Sequence, residues 1–348
     1  MRGIITVNLD TIKANVLKFR RRLGENAKVV GVVKADGYGH GAKEIANYVG
    51  AIDSFAVAGA DEGEELRSVT RKPIIILGYD EAETAARYDL TPTVWEKSQI
   101  KEIAAASEKL GKMATVAIAV DTGMNRIGVK GEREFAEIVE EIRRYKNLTI
   151  SEIYSHLPCG DNEDISLGQL RCFTEITARI KGVEKSVSAT ARAVDKRFNL
   201  SAVRLGIGMY GYGEDFVKPA LSLCGFVVRV SRINAGESVG YNAKYIAVKT
   251  TYIATLSLGY ADGIARKSTG GEVIINGKKR KMVGNVCMDY CFAVVDEKTR
   301  RGDEVIFIGE SGGERITAQD IAKKENTICY EVLTRLKRIK RKYVKSIL

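Results

Sequence analysis

The stretch "VVGVVKADGYGHGA", Val29 to Ala42, sets a single amine, Lys34, between a run of apolar β-branched residues and a segment rich in glycine and aromatic residues. A lysine on a solvated helix face keeps its ammonium hydrated. Lys34 instead follows apolar and glycine residues, a setting in which desolvation and neighbouring cations push an amine's pKa down. Such an amine attacks carbonyl carbon, and Schiff-base chemistry with pyridoxal phosphate is its usual employment. Gly37, Gly39 and Gly41, with Tyr38 among them, leave room for a planar ring and its phosphate.

Other reactive residues are sparse. The two histidines, His40 and His156, argue against a histidine-rich metal centre. Six scattered cysteines without a C-x-x-C pair read as reduced thiols. The expected cofactor is therefore organic, with no metal. A net charge of +11 invites a nucleic-acid reading, and its sharpest cluster is "RLKRIKRKYVK", Arg335 to Lys345. No stacking aromatic motif accompanies it, so it reads as a solvated basic edge, and no nucleic-acid partner is expected.

These residues need elements to hold them. At 348 residues the chain is long enough for two domains, and 45% hydrophobic with 28% charged residues describes a globular interior. No stretch reaches the ~20 apolar residues of a membrane span. "MRGIITVNLD" lacks a secretory apolar region, so no membrane partner and a cytoplasmic location are expected. Eight short β-rich runs lie at 28–33, 54–58, 73–77, 90–94, 114–120, 148–155, 184–188 and 202–210. Between them, segments such as "EREFAEIVEEIRRY" carry apolar residues at three- and four-residue spacing. This alternation predicts an α/β fold, an N-terminal (β/α)8 barrel. In such barrels chemistry gathers at the C-terminal ends of the strands, and Lys34, Asp121 to Arg126, His156, Ser188, and Arg204 with Gly206 all fall there.

After Tyr212 the pattern becomes strands separated by Gly, Asn and Asp turns, which predicts a C-terminal, mainly β domain closed by a helix-rich tail from "ITAQDIAKKE" onward. The expected division is 1–212 and 213–348, with the option that a first strand at about 3–9 pairs with the β domain. "GIGMYG", 206 to 211, spells G-x-G-x-x-G, but no helix pattern opens there and no acidic residue stands near the required spacing. A dinucleotide site is not expected.

The quoted lysine motif, together with "VDTGMNRIG" (120 to 128), "SH" (155 to 156), "VRLGIGMYG" (203 to 211), "SVGYNAKY" (238 to 245), "LGYADGIAR" (258 to 266) and "VGNVCMDY" (283 to 290), resembles the alanine racemase family, fold type III pyridoxal phosphate enzymes, in order along nearly the whole chain. The resemblance implies that Lys34 holds pyridoxal 5'-phosphate and acts as base on one face of the substrate Cα. Tyr241, from the partner subunit of a homodimer, would serve the other face. It implies that Arg204 meets the pyridine nitrogen and discourages its protonation, and that His156 orients Arg204 and Tyr241. Tyr38, Ser188 and the amides of Gly206 and Ile207 would hold the phosphate. Arg126 and the backbone of Met288 would meet the substrate carboxylate, and Tyr260 and Arg266 would line a narrow entry. The implied activity interconverts L- and D-alanine, supplying D-alanine for peptidoglycan.

Three positions depart from the family's pattern. Ala119 stands where many members carry a carbon-dioxide-modified lysine that steadies the arginine equivalent to Arg126, so a bound anion or another carboxylate is expected beside Arg126. Val187 replaces an asparagine before the phosphate serine, and a phosphate-binding tyrosine is missing from the segment after Tyr330. A racemase acting on serine, lysine or ornithine is the nearest alternative. A decarboxylase of the same fold differs in its lysine motif, and a barrel-only pyridoxal phosphate carrier would lack the stretch after Tyr212.

Overall fold

The computed structural model describes residues 2–24, 27–78 and 81–345. In chain order the first strands are β1 (Gly3–Asn8), β2 (Lys28–Val32), β3 (Ser54–Val57), β4 (Ile74–Ile76), β5 (Thr91–Val94), β6 (Ala114–Ala119), β7 (Leu148–Tyr154), β8 (Glu184–Ser186), β9 (Ala202–Leu205) and β10 (Leu221–Ile233). β2 to β9 form one parallel eight-stranded sheet in the order β8-β7-β6-β5-β4-β3-β2-β9. The Arg204 amide donates to the Ser188 carbonyl at 3.2 Å, joining the two ends of that order, so the sheet closes into a (β/α)8 barrel.

The helices between strands bury one stripe each. Gly131–Arg143 turns Phe135, Ile138, Val139 and Ile142 inward, the spacing a helix needs to cover a sheet. These residues join Val116, Ile118 and Ile153 of the strands and Phe173 of Glu163–Thr177 in one apolar cluster. Alternation along the strands sends the other parity into the barrel: Ile153 and Val187 belong to the helix-facing cluster, whereas Glu152, Tyr154, Ser186, Ser188 and Arg204 are buried on the opposite parity.

The chain divides into two compact units, 12–37 with 41–218, and 1–11 with 38–40 and 219–348. In the second unit a nine-stranded sheet places β1 antiparallel to β10, with Gly3 opposite Gly225. On its other side β1 pairs in parallel with a last strand, Lys340–Val344. The first strand thus belongs to the C-terminal unit, not to the barrel.

Two expectations need correction. The tail is not helical to its end: after helices Ala318–Glu325 and Cys329–Thr334 it forms that last strand, at the end of the sheet order. The basic cluster is therefore partly structural, because lysines on an exposed strand discourage further edge pairing. Within it Leu336 and Ile339 are buried, and Arg335 makes a two-pronged ion pair with buried Glu325. The six cysteines are free. No described helix is long and apolar enough to cross a membrane.

Candidate active site

Lys34 follows β2 directly, and the backbone after it takes a conformation that the sequence alone did not reveal. Ala35, Asp36, Gly37 and Tyr38 all have φ between 52° and 62°, one turn of left-handed helix. For the three non-glycine residues this costs about 1–2 kcal/mol each. The turn is held by the Gly37 amide on the Val33 carbonyl at 2.6 Å and the Gly41 amide on the Asp36 carbonyl at 2.9 Å. Glu62 supports its start, accepting from the Ala35 amide at 2.7 Å and, through its other oxygen, from the Ala58 amide at 2.8 Å. At Gly37, a Cβ would also stand 2.9 Å from the Ile45 side chain. Strain sustained this way is typical of functional positions.

The Lys34 ammonium makes no side-chain hydrogen bond or ion pair among the described residues. Burial lowers its pKa, and the Arg126 charge lowers it further, against an opposing pull from Glu62. A lysine so placed spends more of its time as free amine, the form that condenses with a carbonyl.

Four neighbouring strands around the barrel bring up the other groups. From β9, Arg204 is buried at 4% exposure, donating to the Ser186 hydroxyl and the Ser155 carbonyl. Its guanidinium carbon lies 4.9 Å from the centre of the Tyr154 ring, whose own hydroxyl donates to the Leu77 carbonyl at 3.1 Å. From the end of β7 comes His156, whose pKa is pushed down to about 4 by burial first, then by Arg204, Arg126 and Lys34. His156 makes no hydrogen bond to Arg204 among the described residues. Ser186 and the Ser155 carbonyl hold Arg204 here.

His156 gives a pH prediction. Its value in the fold lies below the ordinary 6.5, so between pH 6.5 and about 4 the unfolded chain binds a proton that the fold refuses. Stability from this residue is complete above pH 6.5 and is lost as the pH falls through that window. Thermal unfolding of His156→Gln protein should therefore decline less steeply from pH 6.5 to 4 than that of the parent. Equal slopes would mean that His156 does not titrate this way.

After β6, the 121–126 loop is shaped by buried Asp121, which accepts from the Gly123 amide at 2.9 Å and the Asn125 amide at 3.1 Å. Gly128 is required where the loop returns: its φ is 115° and a Cβ would stand 2.8 Å from the Asp121 nitrogen. Arg126 is exposed and forms no hydrogen bond or ion pair among the described residues. The carboxylate expected beside Arg126 as the alternative to a bound anion is not found among the described residues. The carboxylate of the loop, Asp121, is 3.8 Å from Lys130 instead.

After β8, the Ser188 hydroxyl is fully buried with no hydrogen-bond partner among the described residues. An orphaned donor of this kind, with Gly206 and Ile207 opening a series of tight turns, fits a phosphate. In those turns the Met209 amide bonds the Gly206 carbonyl and the Tyr210 amide the Ile207 carbonyl, while the Gly208 amide takes Thr190, so "GIGMYG" is a turn series without a helix.

Other residues singled out in the sequence lie in the C-terminal unit. Tyr38 clusters with this unit, is buried, and lies 5.7 Å ring to ring from Tyr330; burial raises its pKa, with Tyr330 adding to the shift. Sequence reasoning looked for a tyrosine downstream of Tyr330, whereas Tyr330 itself stands beside Tyr38. Gly39 passes so close to this helix that a Cβ would lie 2.7 Å from the Leu333 carbonyl oxygen. Tyr241 and Met288 are 68% and 54% exposed. Their loops are joined to neighbours: Asn285 donates to the Tyr241 carbonyl at 2.9 Å, and the amides of Tyr260 and Ala261 bond the carbonyls of Cys287 and Met288. Tyr260 and Arg266 are exposed.

Comparison with known proteins decides the family. Residues 7–214 match the N-terminal domain of alanine racemases and residues 220–343 the C-terminal domain. The chain belongs to the alanine racemase family. It is similar to the alanine racemase of Carboxydothermus hydrogenoformans, 37% identical with 97% of this chain and 98% of that one covered. Among solved structures it resembles the Bartonella henselae alanine racemase with covalently bound pyridoxal phosphate, at TM-score 0.89 and 28% identity over 99% of this chain and all of that one. It also resembles a histidine racemase from Leuconostoc mesenteroides, at TM-score 0.91 and 26% identity over 99% of this chain and 98% of that one. As a member of the alanine racemase family, the protein is a racemase with pyridoxal 5'-phosphate as its cofactor.

Proposed function

We propose that the protein interconverts L- and D-alanine by a two-base mechanism in a homodimer whose active sites are each completed by the partner. The observation that carries this reading is Lys34: a desolvated amine on a strained turn, at the end of a barrel strand, in the field of Arg126. Inversion at carbon requires removing a proton from one face and returning one to the other, and hence two groups. Lys34 Nζ serves one face, and the phenol of Tyr241 of the partner subunit serves the other. When bound, the cofactor supplies the electron sink that makes the Cα proton acidic.

With the cofactor bound, Arg204 would meet its pyridine nitrogen, and a guanidinium there would discourage protonation of that nitrogen. Neutral His156 adds no further charge. Ser188, Tyr38 and the amides of Gly206 and Ile207 hold the phosphate, and Arg126 and the Met288 backbone receive the substrate carboxylate. Tyr260 and Arg266 narrow the entry. The exposed apolar side chains of the C-terminal unit, which include Tyr241, Ile246, Val248, Met288 and Tyr290, support burial of such residues against a second copy. The product role that follows is supply of D-alanine for peptidoglycan, in the cytoplasm.

The departures at Ala119 and Val187, and the similarity to a histidine racemase, give the second reading, a racemase of other or broader substrate range. Loss of chirality from L-alanine, L-serine, L-lysine, L-ornithine and L-histidine, followed with the same holoenzyme, tests both. Alanine is expected to react fastest, without carbon dioxide release. A faster basic amino acid would select the second reading, and carbon dioxide release would indicate a decarboxylase.

A further inference from the structure

Glu152 is an acidic residue in an otherwise apolar and small-polar strand, buried at 2% exposure inside the barrel. The Ser186 hydroxyl donates to its Oε1 at 2.5 Å, and Arg204 in turn donates to the Ser186 oxygen. The three side chains come from β7, β8 and β9, neighbours around the ring, and Ser186 is register partner to Tyr154, on whose ring Arg204 lies. A buried guanidinium without a counter-charge is costly. Among the described residues Glu152 is the carboxylate that acts on Arg204. Burial pushes the Glu152 pKa up, while Arg204, Ser186 and Lys28 hold it down. On its far side Glu152 lines a cavity of about 630 Å³ at the N-terminal ends of the strands, with Lys28, Asp53, Thr91 and Glu184.

We infer that Glu152 is a positioning residue for the reaction, acting through the Ser186 hydroxyl to fix and charge-balance Arg204 from the end of the barrel opposite the site. The inference rests on the reading of Arg204 as the group that meets the cofactor ring. Five N–H groups belong to a guanidinium. Fastening two of them, to Ser186 and the Ser155 carbonyl, leaves the rest at one fixed angle for the cofactor. Neighbouring charge then sets how strongly Arg204 opposes protonation of the pyridine nitrogen.

The test uses Glu152→Gln, which keeps the shape and removes the charge, Ser186→Ala, which removes the link, and the double variant. Each holoenzyme is assayed for alanine racemisation, and pyridoxal 5'-phosphate affinity is measured on protein stripped of cofactor. Each single change is expected to lower kcat roughly tenfold, about 1.4 kcal/mol, with KM for alanine within about twofold of the parent. Cofactor affinity should fall several-fold. Because Glu152 acts through Ser186, the double variant should be no slower than the slower single one. Losses that multiply in the double variant overturn the inference. So does parental kcat with lowered thermal stability, the result for a pair that only braces the barrel floor. If Glu152→Gln does not fold, Ser186→Thr against Ser186→Ala decides: the threonine, which keeps the hydroxyl, should retain the rate that alanine loses, and equal rates overturn the inference. A parent enzyme that racemises no amino acid refutes the functional reading instead, and the cofactor-affinity measurements still test the Glu152 link.

Discussion

Lys34→Ala protein is expected to show no measurable racemisation and none of the visible absorbance of bound cofactor. On the proposed function the amine has two tasks that no neighbour replaces, holding the cofactor and serving one face of Cα. Arg126, whose charge acts on it, carries a guanidinium, which is no substitute for a free amine. His156, pushed down to about 4, is a weak base at neutrality. Loss of the proton-transfer role alone is worth about 10²–10⁴ in rate, and loss of the anchoring bond adds to it. The fold should survive, since the ammonium makes no hydrogen bond or ion pair among the described residues. Absorbance spectra and an alanine racemisation assay on the purified variant check this, and retained cofactor absorbance would show that another amine holds it.

Mixing two inactive proteins should restore activity. Lys34→Ala subunits keep Tyr241, and Tyr241→Phe subunits keep Lys34, so a heterodimer contains one site with both groups intact. Random assortment of equal amounts gives functional sites at roughly a quarter of the parental number. Tyr241→Phe alone is expected to lose about 10²–10⁴ in rate, because a phenyl ring fills the same space but carries no proton. Tagged subunits report whether exchange has occurred. Exchange without recovery would place both groups of each site within one chain and refute the shared-site reading. The 68% exposure of Tyr241 in the single chain is what a residue reserved for a partner's site should show.

Much of the barrel was legible in the sequence. Its eight β-rich runs coincide with β2 to β9 to within two residues at each end, except that the last runs on past Leu205, because strands buried on both faces must be short apolar runs bounded by turn residues. The same runs placed Lys34, His156, Ser188 and Arg204 near strand ends, which is where the structure has them. The last strand was not legible. "KRKYV" has neither the alternation nor the hydrophobicity of a buried strand, and it is a strand because β1, far away in sequence, offers it an edge.

What the sequence determined by itself is the chemistry at hand: one amine after an apolar strand, a guanidinium near the end of another, a serine and glycines suited to phosphate, and a tyrosine in the β region. Only the tertiary structure decided how these groups are held. The left-handed turn after Lys34 depends on Glu62, 28 positions away, and backbone strain cannot be read from residue types that tolerate other conformations equally well. Glu152 appears in the sequence as one acidic residue in "LTISEIYS", indistinguishable from a solvent-facing position. Closing the barrel puts β7, β8 and β9 side by side, and that closure turns a glutamate, a serine and an arginine from three separate segments into one chain of hydrogen bonds. Side-chain parity and ring closure are properties of the assembled sheet, so no local pattern could have supplied them.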